Sequence, residues 1–147
     1  HKIEAWGRLL RAAQGLQAEI EADLKAAGFP PLAWYDVLLA LSSAGEGGLR
    51  QFVLRDRVAM PQYTVSRLLD RMGREGLILR EACPDDGRGQ VVRIADPGLE
   101  LLDDMWPVYR DAIGARFAQY MTEDDTLFLN ALLARLRPDE GLALAPG

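Results

Sequence analysis

The chain has 147 residues, a formal net charge of −5, and 49% hydrophobic and 27% charged residues, which suits one folded protomer with a single buried core. Cys83 is its one cysteine and His1 its one histidine, so the sequence excludes an internal disulfide and a cluster of soft metal ligands. No uncharged apolar stretch is long enough to span a membrane, and the N-terminus lacks the apolar core of a secretory signal. We therefore expect a cytoplasmic protein with no metal, no cofactor and no membrane partner.

Helical periodicity predicts two helices at the start of the chain. Apolar residues recur every three or four positions from Ile3 to Leu24, which places them in one stripe on a helix. Gly28-Phe29-Pro30-Pro31 ends that helix. A second helix is predicted from Leu32 to Ser43, because Pro31 suits a first helical turn. Gly45-Glu46-Gly47-Gly48 then predicts a flexible break.

Two further helices are predicted before residue 76. A short third helix should run from about Leu49 to Val58 and bury Phe52, Val53 and Val58. Pro61 opens the fourth helix at a position where its missing amide is harmless. The spacing i, i+3, i+4, i+7 fixes the buried face of the fourth helix, which comprises Val65, Leu68, Leu69 and Met72. The opposite face carries Gln62, Tyr63, Ser66, Arg67 and Asp70.

A hairpin is predicted next. Glu75-Gly76 ends the fourth helix, and the strand-like runs 77–80 and 90–94 are joined by a loop rich in turn formers. Arg88 is the one basic residue at the tip of this hairpin. At least one of Asp85 and Asp86 would act there as a turn former or as a brace for Arg88.

Two helices are predicted after the hairpin. Pro97-Gly98 starts a long helix whose apolar stripe extends to Tyr120, with a kink expected at Pro107. Thr122 and Asp125 have the spacing of a capping box that opens a last helix, and residues 138–147 should form a loose tail in which Leu142 or Leu144 could dock. The terminal helices are more apolar than a small core requires. They form either a helical dimer interface or the closing layer of the monomer core.

The order helix, turn, helix and two strands is typical of a winged helix-turn-helix, which lays a helix in the major groove and a wing on the adjacent backbone. Residues 49–93 hold nine arginines against six acidic residues, whereas both flanks are net negative. The positive excess therefore coincides with the motif. Amide, hydroxyl and guanidinium groups near a helix N-terminus suit base edges and phosphates. The alternative is a face that is only solvated.

The residues of the motif carry a family resemblance. The run from Thr64 to Met72 (Thr-Val-Ser-Arg-Leu-Leu-Asp-Arg-Met), Glu75-Gly76-Leu77-Ile78, Pro84-Asp85-Asp86-Gly87-Arg88 and Ala95-Asp96-Pro97-Gly98 resemble the MarR family of bacterial transcriptional regulators. The resemblance implies a mainly α fold with a small β wing. Residues 32–96 would form the winged helix-turn-helix, and residues 1–31 and 97–147 the intertwined dimerisation helices.

The resemblance also implies specific DNA contacts. Base and phosphate contacts would come from Gln62, Tyr63, Thr64, Ser66 and Arg67, and the wing contact in the minor groove from Arg88. From the residues themselves, Arg71, Arg74 or Arg55 would fix the register through phosphates. Two positions depart from the family pattern: Met60-Pro61-Gln62-Tyr63 replaces a serine-rich start of the helix, and Ala95 stands where threonine is usual.

Members of this family often release DNA when a small, commonly aromatic ligand enters a crevice between the dimer helices and the DNA-reading region. Six residues could line such a crevice here: Trp6, Arg11, Trp34, Tyr35, Trp106 and Tyr109. The alternative is that these aromatic residues belong to the core. Some relatives sense peroxides through a cysteine near the first helix. Cys83 lies in the wing instead, so that route is not expected, although an exposed wing thiol could react.

We therefore expect a homodimeric, sequence-specific regulator that binds a pseudo-palindromic operator in double-stranded DNA, with half-sites about one helical turn apart. A repressor released by a small, aromatic ligand is the favoured form. The rival hypothesis is a winged-helix module for protein–protein interaction, with Tyr63 and the arginine face as its interface. An enzyme is not expected, because the chain offers no nucleophile with a base and no grouped acids with a metal.

Overall fold

A computed structural model describes residues 1–58, 60, 62–83, 89–138 and 144–147, with only the backbone of Gln62. The helices are α1 (Lys2–Ala26), α2 (Leu32–Ala44), α3 (Gln51–Val58), α4 (Gln62–Arg74), α5 (Asp96–Arg116) and α6 (Glu123–Leu136). The strands are β1 (Leu49–Arg50), β2 (Ile78–Ala82) and β3 (Gln90–Ile94). None of the helices in these described ranges is long and apolar enough to cross a lipid bilayer.

The chain divides into two compact units. One, here called the helical unit, comprises His1–Phe29 and Pro107–Ala143. The other, here called the mixed unit, comprises Pro30–Trp106 and Leu144–Gly147. Helix α5 therefore begins in the mixed unit and ends in the helical unit.

The mixed unit contains a three-stranded antiparallel sheet in the order β1-β3-β2. Strand β2 pairs with β3 from Ile78 opposite Ile94 to Ala82 opposite Gln90, and the Cys83 amide donates to the Gly89 carbonyl at 2.9 Å. The two predicted hairpin strands are thus confirmed. Strand β1, which pairs Leu49 with Val92, was not predicted.

The core of the mixed unit is built around α2. Tyr35, Val37, Leu38 and Leu41 of this helix are completely buried, and α2 contacts both α3 and β3. Burying this much apolar surface is the main favourable contribution to folding. Among the described residues of this unit, the other buried side chains are apolar as well and include Leu54, Val65, Leu69, Met72, Val92, Leu102 and Met105.

The prediction for the third helix is wrong in part. Residues 49 and 50 are extended and pair with β3, so α3 begins at Gln51 and buries Leu54. Phe52 is 55% exposed instead of buried, and Val53 and Val58 are only half-buried. The segment predicted as a flexible break forms a 3₁₀ turn, Gly45–Gly47.

Helix α4 ends as its glycine predicts. Gly76 has a φ of +75°, a conformation that glycine adopts without steric cost. The Leu77 amide donates to the Met72 carbonyl at 3.0 Å, and the Gly76 amide donates to the Gly73 carbonyl at 3.1 Å. These two bonds define a Schellman motif. It satisfies the last carbonyls of α4 and turns the chain directly into β2.

The long helix α5 is shorter than predicted. Phe117 leaves the helix with φ −132° and ψ −62°, and a 3₁₀ turn follows at Ala118–Tyr120. Tyr120 is therefore not part of the helical stripe, and its side chain is exposed. Pro107 lies inside α5.

The capping box that opens α6 is confirmed. The Asp125 amide donates to Thr122 Oγ1 at 3.1 Å, and the Thr122 amide donates to Asp125 Oδ2 at 2.9 Å. The backbone hydrogen bond from Thr122 is the main cause of a lowered pKa for Asp125. Two donors of the first turn, which would otherwise lack partners, are thereby satisfied.

Within the helical unit, Arg116 of α5 forms a two-point ion pair with Asp23 of α1. Its Nη2 lies 2.9 Å from Asp23 Oδ1 and its Nε lies 3.1 Å from Oδ2. Such a planar, bidentate pair fixes orientation as well as distance. The hydrogen bond from Arg116 lowers the pKa of Asp23 below its ordinary value.

We predict that Gly98→Ala destabilises the protein by about 1–3 kcal/mol, the usual cost of overpacking. A Cβ at Gly98 would collide with the Leu77 carbonyl oxygen and would lie 2.9 Å from Ile94 Cγ1 and 3.2 Å from Leu38 Cδ2. Urea-induced unfolding measures the change. The matched control is Gly114→Ala, also in α5, where a Cβ meets nothing within 4 Å. Equal effects of the two substitutions would contradict the close packing at Gly98.

We further predict that Asp23→Asn lowers the free energy of unfolding at neutral pH, and that this effect fades in acid. Because the pKa of Asp23 is lowered in the folded state, its ion pair stabilises the protein above the unfolded pKa. That contribution is lost as the pH falls through the folded pKa, which lies below the ordinary value of 3.8. Unfolding curves from neutral pH downward, with Asp103→Asn as a charge-matched control on α5, measure the difference. A difference that stays constant into strong acid would rule out this linkage.

Candidate nucleic-acid interface

The exposed face of α4 carries the side chains predicted to contact DNA. Tyr63 is 68% exposed, Arg67 is exposed, and Thr64 and Ser66 are partly exposed. The opposite face is buried through Val65, Leu69 and Met72, as predicted, while Leu68 is only partly buried. The side chain of Gln62 lies outside the described part of the chain, so its predicted contact stays a prediction.

Tyr63 and Arg67 form a pair one helical turn apart. The Arg67 guanidinium carbon lies 6.0 Å from the centroid of the Tyr63 ring, at the outer range of a cation–π contact. Positions i and i+4 are neighbours on a helix surface. The pair therefore restricts the Arg67 side chain near the N-terminal end of α4, where backbone amides are also available to an anion.

Two further contacts hold the flanks of α4. On one flank, Arg80 Nη2 of β2 lies 2.7 Å from Asp70 Oδ1. On the other flank, the Arg71 guanidinium carbon lies 5.6 Å from the centroid of the Trp34 ring in α2. The acidic residue of this face is therefore paired within the protein, and Arg71 retains its positive charge.

The predicted tip of the wing lies outside the described residues. This applies to Asp85, Asp86 and Arg88, whose roles stay predictions. At the base of the wing, Arg93 Nη1 of β3 lies 2.8 Å from Glu81 Oε2 of β2. This cross-strand pair, together with Arg80 and Asp70, means that the arginines of β2 and β3 have acidic partners.

The phosphate contacts predicted alongside Arg71 were Arg74 and Arg55. Arg74 is exposed at the C-terminal end of α4. Arg55 of α3 has its Nε 3.7 Å from Asp56 Oδ1. Arg74 thus lies on the same helix as Tyr63 and Arg67, while Arg55 has a loose acidic neighbour.

The six residues predicted to line a ligand crevice fall in both units. In the helical unit, Trp6 and Arg11 of α1 are exposed and Tyr109 of α5 is buried. In the mixed unit, Trp34 and Tyr35 are buried and Trp106 is half-buried. A shared crevice stays a prediction.

One of these residues, Tyr35, contacts the C-terminal tail. Tyr35 is completely buried, and its hydroxyl donates a hydrogen bond to the Leu144 carbonyl. The sequence predicted a loose tail in which Leu144 could dock. At Leu144 the tail does dock, through this hydrogen bond to its backbone carbonyl.

The expectation for Cys83 is wrong in one respect. Its side chain is only 4% exposed, so it is not a solvent-exposed wing thiol. Its amide donates a hydrogen bond to the Gly89 carbonyl at the end of the hairpin ladder. Among the residues that the structure describes, no group of three or more His, Cys, Asp or Glu side chains could hold a metal ion.

Sequence reasoning missed the partners that position α4. Trp34 was considered as a ligand residue or a core residue, and Arg80 was given no role. Periodicity shows which residues of one helix share a face, but it does not show which residue of another element lies opposite. A pairing between an arginine and an aromatic residue 37 positions away in the sequence leaves no local pattern.

The proteins similar to this chain in sequence and in fold include transcriptional regulators. A sequence model of the MarR family (MarR_2) matches residues 27–89. The HTH-type transcriptional regulator YkoM of Bacillus subtilis (strain 168) is 29% identical over 108 residues, which cover 74% of this chain and 68% of YkoM.

Two solved structures from Streptomyces coelicolor have the same fold. AbsC, a MarR family transcriptional regulator, is 25% identical with a TM-score of 0.80, over 91% of this chain and 90% of AbsC. Sco3205, a MarR family transcriptional regulator solved in complex with DNA, is 23% identical with a TM-score of 0.83, over 96% of this chain and 88% of Sco3205. The predicted winged helix-turn-helix is therefore confirmed.

Proposed function

We propose that this chain, which belongs to the MarR family of winged-helix transcriptional regulators, is a homodimeric repressor that binds a pseudo-palindromic operator in double-stranded DNA. Members of the family are transcriptional regulators rather than enzymes. Helix α4 of each protomer would enter a major groove. Tyr63, Ser66 and Arg67 would then contact base edges, with Gln62 and Thr64 at the start of the helix.

The observation that carries this proposal is the exposed face of α4. An aromatic ring, hydroxyls and a guanidinium project from a helix whose other face is locked into the core. These groups are the ones that bind base edges and phosphates. The DNA complex of Sco3205 supports the use of this fold on DNA.

The exposed apolar side chains of the helical unit support a homodimer. Within the single chain, α6 buries none of its residues, even though several of them are large and apolar. Phe128 is 66% exposed, and Leu127 and Leu136 are exposed to a similar degree. On α1, Ile3 is 84% exposed and Trp6 is 61% exposed. Large apolar side chains exposed on these helices are typical of an interface. A second copy would cover it and would relate two α4 helices by a two-fold axis.

The proposal includes control of DNA binding by a ligand. Its support is the family resemblance and the aromatic residues that both units contribute. We propose a small aromatic ligand, which would lower operator affinity by binding the DNA-free form more tightly.

Selection of random duplex DNA on the purified protein tests the proposed function. We expect a two-fold symmetric motif bound by two protomers, with an affinity that falls steeply as salt rises. A·T-rich flanks in that motif would support the minor-groove role of Arg88. The selected operator then serves to screen small aromatic compounds, and release of DNA by none of them would count against ligand control. Absence of any enriched motif, with binding to protein partners that is insensitive to salt, would favour the interaction module instead.

We predict that Arg67→Ala weakens binding to that operator by about 1–3 kcal/mol, the value of one good base contact. Binding to random DNA should weaken less, because the lost contact reads sequence. Fluorescence anisotropy titrations on both DNAs measure the two effects. Lys25→Ala, which removes an exposed positive charge from α1, is the matched control and should leave both affinities nearly unchanged. Equal losses on operator and random DNA would assign Arg67 to a phosphate.

A further inference from the structure

We propose that Trp34 is a positioning residue for DNA binding. Its indole ring holds the guanidinium of Arg71 in place, so that Arg71 binds a phosphate beside the groove that α4 enters. This inference rests on the proposed function, because Arg71 has such a role only if α4 binds DNA.

The geometry begins with the position of the ring. Trp34 lies in α2 and is only 7% exposed, and its neighbour Tyr35 is completely buried. The indole therefore cannot move freely. The Arg71 guanidinium carbon lies 5.6 Å from the centroid of that ring, within the range of a cation–π contact. A fixed ring thus restrains a long and otherwise flexible side chain.

The contact with the indole leaves the N–H donors of Arg71 available to bind an anion. A guanidinium is planar, and its five N–H donors point outward in that plane. A cation–π contact uses the charge of the guanidinium without forming an ion pair, whereas a carboxylate partner would occupy the N–H donors and cancel the charge. Arg71 is exposed as a residue. Its donors and its full charge can therefore serve an anion from solvent.

The position of Arg71 on α4 suits a phosphate rather than a base. With roughly 100° of rotation per residue, Arg71 lies on the flank of the face centred on Tyr63 and Arg67. A side chain at the edge of a helix in the major groove meets the DNA backbone. The adjacent carboxylate of Asp70 would repel a phosphate, but Arg80 pairs with it at 2.7 Å.

The contact has a measurable consequence for salt dependence. Each phosphate that a protein neutralises adds about 0.9 to the slope of log K against log salt on duplex DNA. Without the indole, the Arg71 side chain would sample several rotamers, and holding it at a phosphate would cost more conformational entropy. Loss of Trp34 should then resemble loss of Arg71.

The test is a double-mutant cycle read through the salt slope on the selected operator. The variants are Trp34→Leu, Arg71→Gln and the double variant. We expect each single change to reduce the slope on the operator by about 1.8, because two protomers bind it and each loses one phosphate contact, and to weaken operator and random DNA by a similar factor. The double variant should show no further reduction, because both changes remove the same contact.

Two additional variants separate positioning from general destabilisation. Trp34→Phe keeps an aromatic face, so it should retain most of the slope. If Trp34→Leu fails to fold, Trp34→Phe becomes the variant that tests the role of the ring. Leu39→Ala removes another buried side chain of α2, on a face roughly 140° away from Trp34. It should lower the thermal unfolding midpoint while leaving the slope unchanged. Thermal unfolding confirms that each variant is folded at the temperature of the titrations.

The outcomes distinguish this inference from the proposed function. Absence of specific DNA binding by the wild-type protein would overturn the proposed function itself. Specific binding by the wild type would overturn only the positioning role if Arg71→Gln reduced the slope while Trp34→Leu kept the wild-type slope. A slope in a folded Trp34→Phe as low as that of Arg71→Gln would overturn it too. Additive reductions in the double variant, or a reduced slope in Leu39→Ala, would overturn it as well.

Discussion

The buried face of α4 is the constraint on which the rest of the structure depends. Val65, Leu69 and Met72 are almost completely removed from solvent, and they fix the rotation of the helix about its own axis. Shifting the buried stripe by one residue would rotate the helix by roughly 100°. Polar side chains would then enter an apolar core without partners, at high cost. The exposure of Tyr63 and Arg67 is thus a consequence of packing.

The Schellman motif at Gly76 fixes the position of the sheet relative to α4. Because the chain turns directly from α4 into β2, the start of the hairpin has a defined position relative to the helix. The ion pair between Asp70 and Arg80 ties the same two elements through side chains. An exposed pair alone contributes little to stability, but in combination with the turn it restricts how α4 lies against β2.

The sequence predicted the parts of this arrangement that depend on local patterns. Helical periodicity located all six helices, and the glycine at 76 and the threonine at 122 marked a helix end and a helix start that the structure confirms. Such patterns are short-range, because capping and amphipathicity involve residues within one or two turns.

The errors have a common physical cause, which is pairing between distant segments. Leu49 and Arg50 lack the length of a typical strand, and they are extended because β3 offers them hydrogen bonds. That pairing shifts the start of α3 and leaves Phe52 in solvent. None of these outcomes is visible within a window of ten residues.

The two kinds of arginine contact in the mixed unit have different electrostatic consequences. Arg80 and Arg93 of the sheet pair with Asp70 and Glu81, and a guanidinium paired with a carboxylate leaves little net field for a polyanion. Two of the three arginines of α4, Arg67 and Arg71, lie against aromatic rings instead. A ring attracts the cation through its quadrupole and leaves the charge intact.

A chain with a net charge of −5 can therefore still present a locally positive helix. The range of an exposed charge at physiological salt is about 8 Å, so a phosphate near α4 responds to the arginines of that helix more than to acidic residues farther away. The aromatic contacts preserve the positive charge of Arg67 and Arg71 on α4, the helix that would bind DNA. The ion pairs neutralise the arginines of β2 and β3. The choice of partner for each arginine, and not the net charge of the chain, determines whether this surface attracts a phosphate.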